Sequence, residues 1–269
     1  MKPLRIALTK GRLERDTVAM FERIGFDCTA VHEKGRKLIL PIGDNQFEVV
    51  LAKAADVITY VEHGVCDLGV VGKDTIIENG SSFYEVLDLG FGKCKFALAA
   101  PKGTDFYSGY ASKTIATKYP NVARSFFEGK GMDVKIIKIE GSVELAPLLG
   151  LSDAIIDIVE TGSTLKENGL EVIEKVCDIS ARLIVNTASM KLRKQEIDTL
   201  INQMEQAKEF ERISKEKAVN SSFTFSVVDE ETGARTEQQK KIAFVKNNRP
   251  VNSKKVDGFI ALIAANKYD

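Results

Sequence analysis

Short apolar runs that close in a polar turn and pass directly into a helix-spaced segment recur through most of this 269-residue chain, and that alternation restricts the fold more than any other feature. The opening LRIALTKGRLERDTVAMFERIGF shows the unit. It has a strand-like run at Leu4–Thr9, a polar turn over 10–12, and then helical spacing of Val18, Met20, Phe21 and Ile24. Strands need their faces covered and helices need one stripe covered, so strand–turn–helix units in series build a parallel or mixed α/β sheet. Lys37–Pro41 and Phe47–Ala52 read as two further strands around a Gly43-Asp44-Asn45 turn. Ala54–Glu62 reads as a helix, and Asp67–Asp74 as a buried strand running into a polar turn.

A second set of units begins near Lys93. KFALAAP and KTIAT read as strands, 121–129 as a helix, VKIIKIE as a strand, and GSVELAPLLG as a helix burying Val143, Leu145 and Leu148. AIIDIV is a further strand. LEVIEKVCDISARLIVN then reads as strands returning to the first set, and 189–217 as a helix with Leu192, Ile197, Leu200, Ile201 and Met204 on its apolar side. The expected organisation is lobe I over 1–92, lobe II over 93–177 and a return to lobe I over 178–206. A chain that crosses twice between lobes leaves a cleft suited to a small ligand. From about Ala207 the texture turns polar and charged, and 207–269 is expected to be a separate extension. Its apolar runs FTFSVV and VDGFIALIAA are compatible with a strand pair, with a strand and a helix, or with disorder.

Bulk composition narrows the function classes. The 38 basic and 38 acidic residues cancel, so no net field draws the protein to nucleic acid or to an anionic membrane, and neither is expected as a partner. An anionic ligand must be held by a local site. Met1–Leu8 has too few apolar residues for a signal-peptide core, and no run of eighteen apolar residues occurs, so the cytoplasm is the expected location. The four cysteines are scattered without a C-x-x-C pair and are expected to be reduced thiols. His63 and Cys66 form one H-x-x-C that Cys94 would complete as a third ligand. Free Cys is commonly a small buried hydrophobe, so no metal site is expected.

The densest chemical signal is IIDIVETGSTLKEN, Ile155 to Asn168. A strand that delivers small residues to a helix start exposes unpaired backbone N–H groups, and Gly162 lets the turn close around a phosphate. Thr161, Ser163 and Thr164 add hydroxyl donors, although the same residues also make ordinary helix caps. Asp157 and Glu160 sharpen the reading. A carboxylate repels a phosphate but accepts hydrogen bonds from a ribose diol, helps position Mg²⁺, and favours positive charge developing on a sugar ring. The ligand implied is a phosphorylated pentose. There is no G-x-x-x-x-G-K-[ST], and GFGKCK lacks the third glycine of a dinucleotide fingerprint. No Ser, His, Asp order compels a hydrolase, since His32 and His63 are the two histidines.

LTKGRL (8–13), TYVEHGVCDLGVVGKD (59–74), LGFGKC (89–94), ATKYPN (116–121), GSVELAPLLGLSD (141–153) and IVETGSTLKENGL (158–170) run in an order that resembles the ATP phosphoribosyltransferases, short catalytic-chain form, over about residues 1–206. The resemblance implies a two-lobed type II periplasmic-binding-protein-like α/β fold with an inter-lobe active cleft. It implies a Mg²⁺-dependent reaction in which N1 of ATP attacks C1 of phosphoribosyl pyrophosphate and pyrophosphate leaves, the first step of histidine biosynthesis. It also implies a regulatory chain related to histidyl-tRNA synthetase, joined with the catalytic chains in a hetero-octamer.

Carried onto these residues, the resemblance puts Glu160, Thr161, Gly162, Ser163 and Thr164 around the 5-phosphate and Asp157 near the pentose hydroxyls. Lys10 and Arg12 would meet polyphosphate charge from the facing lobe. Asp67, Leu68 and Gly69 would line the nucleotide pocket, and Glu144 would sit with Asp157 near the reacting groups. Each has a structural alternative: a solvated turn for Lys10 and Arg12, a turn terminus for Asp67, and a helix-dipole charge for Glu144. Lys53 and Ala55 depart from a family segment that often carries arginine. The extension is unmatched, although KKVDGFIALIAA is similar over a short span to the end of phage terminase large subunits. A non-catalytic two-lobed solute-binding module is the alternative of another class, and a phosphoribosyltransferase for a different base is a third reading.

Overall fold

The computed structural model describes residues 2–80, 82–109, 111–220, 222–228 and 235–241, and side chains as far as 214. The first half runs β1 (Leu4–Thr9), α1 (Arg12–Arg23), α2 (Thr29–His32), β2 (Ile39–Ile42), β3 (Phe47–Ala52), α3 (Ala54–Glu62), β4 (Leu68–Gly72), α4 (Lys73–Asn79) and β5 (Phe83–Asp88). It continues with β6 (Cys94–Pro101), β7 (Lys113–Thr117), α5 (Pro120–Gly129), β8 (Val134–Lys138), α6 (Leu145–Leu148), β9 (Ala154–Val159), α7 (Ser163–Glu167) and β10 (Leu170–Ile179). Then come β11 (Ala181–Asn186), α8 (Thr187–Leu192), α9 (Lys194–Asn220), β12 (Ser222–Val228) and β13 (Arg235–Lys241).

Two mixed sheets form the lobes. One has the order β2-β3-β1-β4-β11-β5 and the other β10-β6-β9-β7-β8. In the first, β1 lies parallel between β3 and β4, while β11 enters antiparallel between β4 and β5. The chain therefore crosses after β5 and again between β10 and β11. The second crossing follows Ile179, slightly beyond the expected 177, because β10 stays paired with β6 through two register shifts.

Strand alternation explains why each sheet needs cover on both faces. In lobe I, Leu4, Ile6 and Leu8 pack with Val18, Met20 and Phe21 of α1 and with Ile197, Leu200 and Met204 of α9. Ala7 and Ile184 face Val57, Ile58 and Val61 of α3. In lobe II, Phe96, Leu98 and Ala100 join Val122 and Phe127 of α5, whereas Ala97 and Ala99 turn to Val143, Ala146 and Leu165. Each fully buried large side chain contributes about 1.5–3 kcal/mol.

Four expectations change. The polar turn after Gly72 is the helix α4, and 83–88, unassigned from sequence, is β5. The helix expected over 141–150 is one turn, bounded by left-handed Ser142 (φ 47°) and Gly150 (φ 72°), with Leu145 and Leu148 half exposed. The long helix over 189–217 is divided at Arg193. Asn186 caps α8 by accepting from the Ala188 and Ser189 amides at 2.9 and 3.0 Å, and this leaves Leu192 84% exposed. FTFSVV lies in β12, paired antiparallel with polar β13, while VDGFIALIAA lies outside the described residues. Among the described residues no helix is long and apolar enough to cross a membrane.

Candidate active site

The strand directions fix where a site can form. Parallel β1, β3 and β4 end together, delivering Lys10 and Arg12, Lys53, and Asp74 to one edge of lobe I. In lobe II, β7 and β9 end at one edge, beside the start of β6, delivering Lys118, Glu160 and Cys94. The two edges meet: Arg12 Nη1 donates to Glu160 Oε1 and Oε2 at 2.9 and 2.8 Å. A cavity of about 450 Å³ between them is lined by Arg12, Cys94, Glu144, Asp157, Glu160 and the turn Thr161, Gly162 and Thr164. Clefts outside the carboxyl ends of strands are where open α/β sheets take ligands.

The turn has the conformation its sequence requires. Gly162 sits at φ +81°, ψ 6° in the left-handed region and leads into α7. Gly162, at the cap position, bonds none of that helix's amides. The Thr161 and Ser163 hydroxyls lie 3.0 Å apart, and the Ser163 amide donates to Thr161 Oγ1 at 3.4 Å. Ser163 alone of the turn residues is not on the cavity wall.

Asp157 shares a strand face with Ile155 and Val159, the face covered by α6, and this places Glu144 near it. Burial raises the Asp157 carboxyl above its ordinary range. A hydrogen bond from the Ile158 amide opposes that shift, nearby Glu144 adds to it, and Lys118 opposes it. Glu144 occupies the cap position of α6 without bonding its amides, so its carboxylate is not used as a helix cap. The cleft thus pairs a half-buried acid with a second acid, and Lys118 supplies an opposing charge that sequence reasoning missed.

Lys10 is exposed on the wall of a neighbouring cavity of about 420 Å³, with Arg15, Lys34, Arg36 and Lys37. Buried Glu14 lies at its base, accepts from the Gly11 amide at 3.3 Å and pairs with Lys34. The fold places the EKGRK run, Glu33 to Lys37, beside the turn that follows β1.

Asp67, Leu68 and Gly69 are not in the cleft. They sit at the amino end of β4, the opposite edge of the sheet. Asp67 accepts from the Arg5 amide at 2.9 Å and the Ser189 hydroxyl at 2.7 Å, and it pairs with Arg193 at 3.7 Å. Leu68 is fully buried, and a Cβ at Gly69 would stand 2.8 Å from both Val57 Cγ1 and Val61 Cγ2. These residues pack α3 and α8 onto the sheet, at the edge away from the cavity that Glu160 and Thr164 line. His63 is exposed while Cys66 is buried, with burial pushing its thiol up to about 11. No group of three potential metal ligands assembles among the described residues.

Two mixed α/β lobes joined by two crossings, with a cleft at the strand ends, define a protein of the type II periplasmic-binding-protein-like fold. The sulphonate-binding protein SsuA of Escherichia coli is similar in fold, with a TM-score of 0.51 at 12% identity over 82% of this chain and 77% of that one. The ATP phosphoribosyltransferase family model (HisG) matches residues 53–206. An ATP phosphoribosyltransferase of Clostridium kluyveri is 63% identical over 204 residues, 76% of this chain and 93% of that relative. One from Listeria monocytogenes is 60% identical over 213 residues, 79% of this chain and all of the relative. A solved ATP phosphoribosyl transferase (HisG:HisZ) complex from Thermotoga maritima matches with a TM-score of 0.66 at 33% identity, over 77% of this chain and 98% of that one.

The chain belongs to the ATP phosphoribosyltransferase family, pentosyltransferases of the first step of histidine biosynthesis. The solute-binding alternative rests on likeness of fold alone and is set aside.

Proposed function

We propose that the cleft binds phosphoribosyl pyrophosphate with its 5-phosphate in the Glu160–Thr164 turn and its ring beside Asp157, where N1 of ATP displaces pyrophosphate from C1. The observation that carries this reading is the convergence of the left-handed Gly162 turn, half-buried Asp157 and Arg12 of the opposite lobe on one cavity. Backbone amides and the Thr161 and Thr164 hydroxyls serve the phosphate. Asp157 and Glu144, presented to the ring, favour the positive charge that develops as the C1–O bond breaks. Glu160 is neutralised by Arg12, which explains why an anion-holding turn tolerates an acid at its start. Lys10 with Arg15, Arg36 and Lys37 gives polyphosphate charge a basic wall next to the cleft.

Magnesium enters as a companion of the substrate polyphosphate. Asp157 with Glu144 offers the one or two carboxylates that a phosphate-bound Mg²⁺ commonly takes from protein. When bound there, it would offset the charge of the departing pyrophosphate. A regulatory chain related to histidyl-tRNA synthetase is the proposed partner, supported by likeness to the catalytic chain of the Thermotoga complex, and hetero-octamer assembly follows the family. Use of ATP as substrate favours the cytoplasm.

The test mixes the full chain with ATP, phosphoribosyl pyrophosphate and Mg²⁺, with and without a co-expressed regulatory chain. Pyrophosphate release is measured together with the mass of the nucleotide product. Formation of phosphoribosyl-ATP is expected with the partner present; its absence there overturns the reading.

A further inference from the structure

Outside the substrate cavity, the lobes are joined at a second place that none of the roles above uses. Asp74 and Glu78 stand four residues apart on α4 of lobe I and therefore on one helix face. Both reach the start of α5 in lobe II. Glu78 Oε2 accepts from the Asn121 amide at 2.9 Å and the Val122 amide at 3.1 Å, Oε1 accepts from Asn121 at 3.3 Å, and Asn121 Nδ2 donates to the Glu78 carbonyl at 2.9 Å. Asp74 brings its negative charge close to Tyr119, whose phenol burial and that charge both push up. Helix α5 has Pro120 in its first turn and no side-chain cap of its own, so the carboxylate that satisfies its first amides comes from the other lobe.

This contact leads toward the reacting centre. Through Asn121 and Val122 it holds the segment in which the Tyr119 amide donates to Thr117 Oγ1 at 2.9 Å. The buried Thr117 hydroxyl in turn donates to the Ile156 carbonyl at 2.6 Å, the residue before Asp157. Lys118, whose charge opposes the rise at Asp157, lies in the same segment. The covalent links between lobes are two crossings in the chain, and the α4–α5 contact adds a non-covalent attachment apart from the Arg12–Glu160 pair. Lys138 of β8 adds a positive charge near Glu78.

We propose that Glu78 is a positioning residue for phosphoribosyl transfer: by capping α5 across the lobes, it holds the cleft at the spacing at which Arg12 meets the Glu160–Thr164 turn. The inference rests on the cleft being the transfer site, and Glu78 itself touches neither substrate. Loss of the cap lowers the population of the closed arrangement, and apparent affinity for any ligand spanning the lobes falls by that same fraction.

The experiment compares wild type, Glu78→Ala, Glu78→Gln and Tyr119→Phe as full chains, with turnover measured in the presence of the regulatory partner. Amide hydrogen exchange at Asn121 and Val122 and small-angle scattering are read on the free chain. Glu78→Ala is expected to lose protection at those two amides and to expand the scattering envelope, with addition of phosphoribosyl pyrophosphate and Mg²⁺ restoring it. KM for both substrates should rise about tenfold together while kcat stays within about twofold, because a shared closure penalty acts on both. Glu78→Gln, which keeps an acceptor, should recover part of each effect.

A fall in melting temperature with wild-type KM values and scattering would reduce Glu78 to a structural cap and overturn the proposal. A rise in one KM alone would make it a substrate contact and also overturn it. If Glu78→Ala does not fold, Glu78→Gln and Tyr119→Phe carry the same readouts. If the wild type makes no product, the function assignment fails, and exchange and scattering still decide the inter-lobe bracket.

Discussion

Glu160→Gln isolates the charge problem posed by an acid at the mouth of a turn proposed to hold phosphate. In the free protein Arg12 gives one guanidinium nitrogen to both Glu160 oxygens, and the side chains are 47% and 57% exposed. An exposed pair of this type is worth about 0.2–1 kcal/mol, so breaking it to release Arg12 costs an incoming phosphate little. The Glu160 charge also repels that phosphate, by roughly 1 kcal/mol per unit charge at about 4 Å in a water-like medium. Removing the charge while keeping the shape should therefore tighten inorganic phosphate binding by about 1–2 kcal/mol, or roughly five- to thirtyfold. Calorimetric titration at about 0.01 M and about 0.15 M ionic strength provides the assay. The gain should shrink at the higher value, as the Debye length falls from about 30 to about 8 Å. Phosphoribosyl pyrophosphate should gain less than phosphate does, because the substituted amide is a weaker acceptor for a ribose hydroxyl. Phosphate affinity unchanged or lowered at low salt would refute the reasoning, since Arg12 would then not be exchanged between Glu160 and the ligand.

Asp157→Asn should separate stability from activity. Burial raises the folded-state pKa of this acid, so its stabilising contribution is full below the ordinary aspartate value near 3.8 and is lost as pH rises through the raised value. The neutral variant is therefore expected to melt higher than wild type at pH 7 and to lose that advantage as pH falls toward the ordinary value, while turnover drops at least about tenfold; a lower melting temperature at pH 7 would contradict this. Gly69→Ala should destabilise by about 1–3 kcal/mol through overpacking against Val57 and Val61, with KM for ATP per folded molecule unchanged. A shifted ATP KM at full stability would return Gly69 to the nucleotide site. Ending the chain after Ser214 should preserve the melting temperature. Ending it after Gln206 removes the Lys208 bond to the Asp88 carbonyl at 2.7 Å and the Arg23–Glu211 pair, and should cost about 1–2 kcal/mol by thermal denaturation while leaving a soluble, partner-responsive unit.

The elements that were legible in sequence are those whose periodicity is local. Leu4–Thr9, Phe47–Ala52, Ala54–Glu62, Lys113–Thr117 and Ala154–Val159 have the expected bounds because alternation or helical spacing runs their full length. Helix α4 was hidden by its polar residues, and β5 by its half-exposed faces in FYEVLD. The helix break at Arg193 follows from the Asn186 cap and the contacts of Arg193 with Asp67 and Glu196, which no spacing rule reveals. Within the cleft, the turn itself was readable because a Gly flanked by Thr and Ser between a strand and a helix start favours the left-handed conformation that Gly162 adopts. That Asp67–Gly69 lie at the edge away from the cleft was not legible, because a motif records which residues occur together without recording which end of a strand they occupy.

The sequence by itself determined two things: alternating strand and helix units that must build covered mixed sheets, and a Gly-centred turn whose backbone can hold an anion beside two acids. Both follow from local backbone sterics and side-chain periodicity. Only the tertiary structure decided that Arg12 closes on Glu160 and that Glu144 comes beside Asp157. It alone gathered Lys10, Arg15, Arg36 and Lys37 on one wall, turned Asp67 away from the cleft and set Glu78 on the start of α5. Those outcomes depend on strand direction and sheet order, which are settled by long-range packing of the lobes and therefore leave no local mark in the chain.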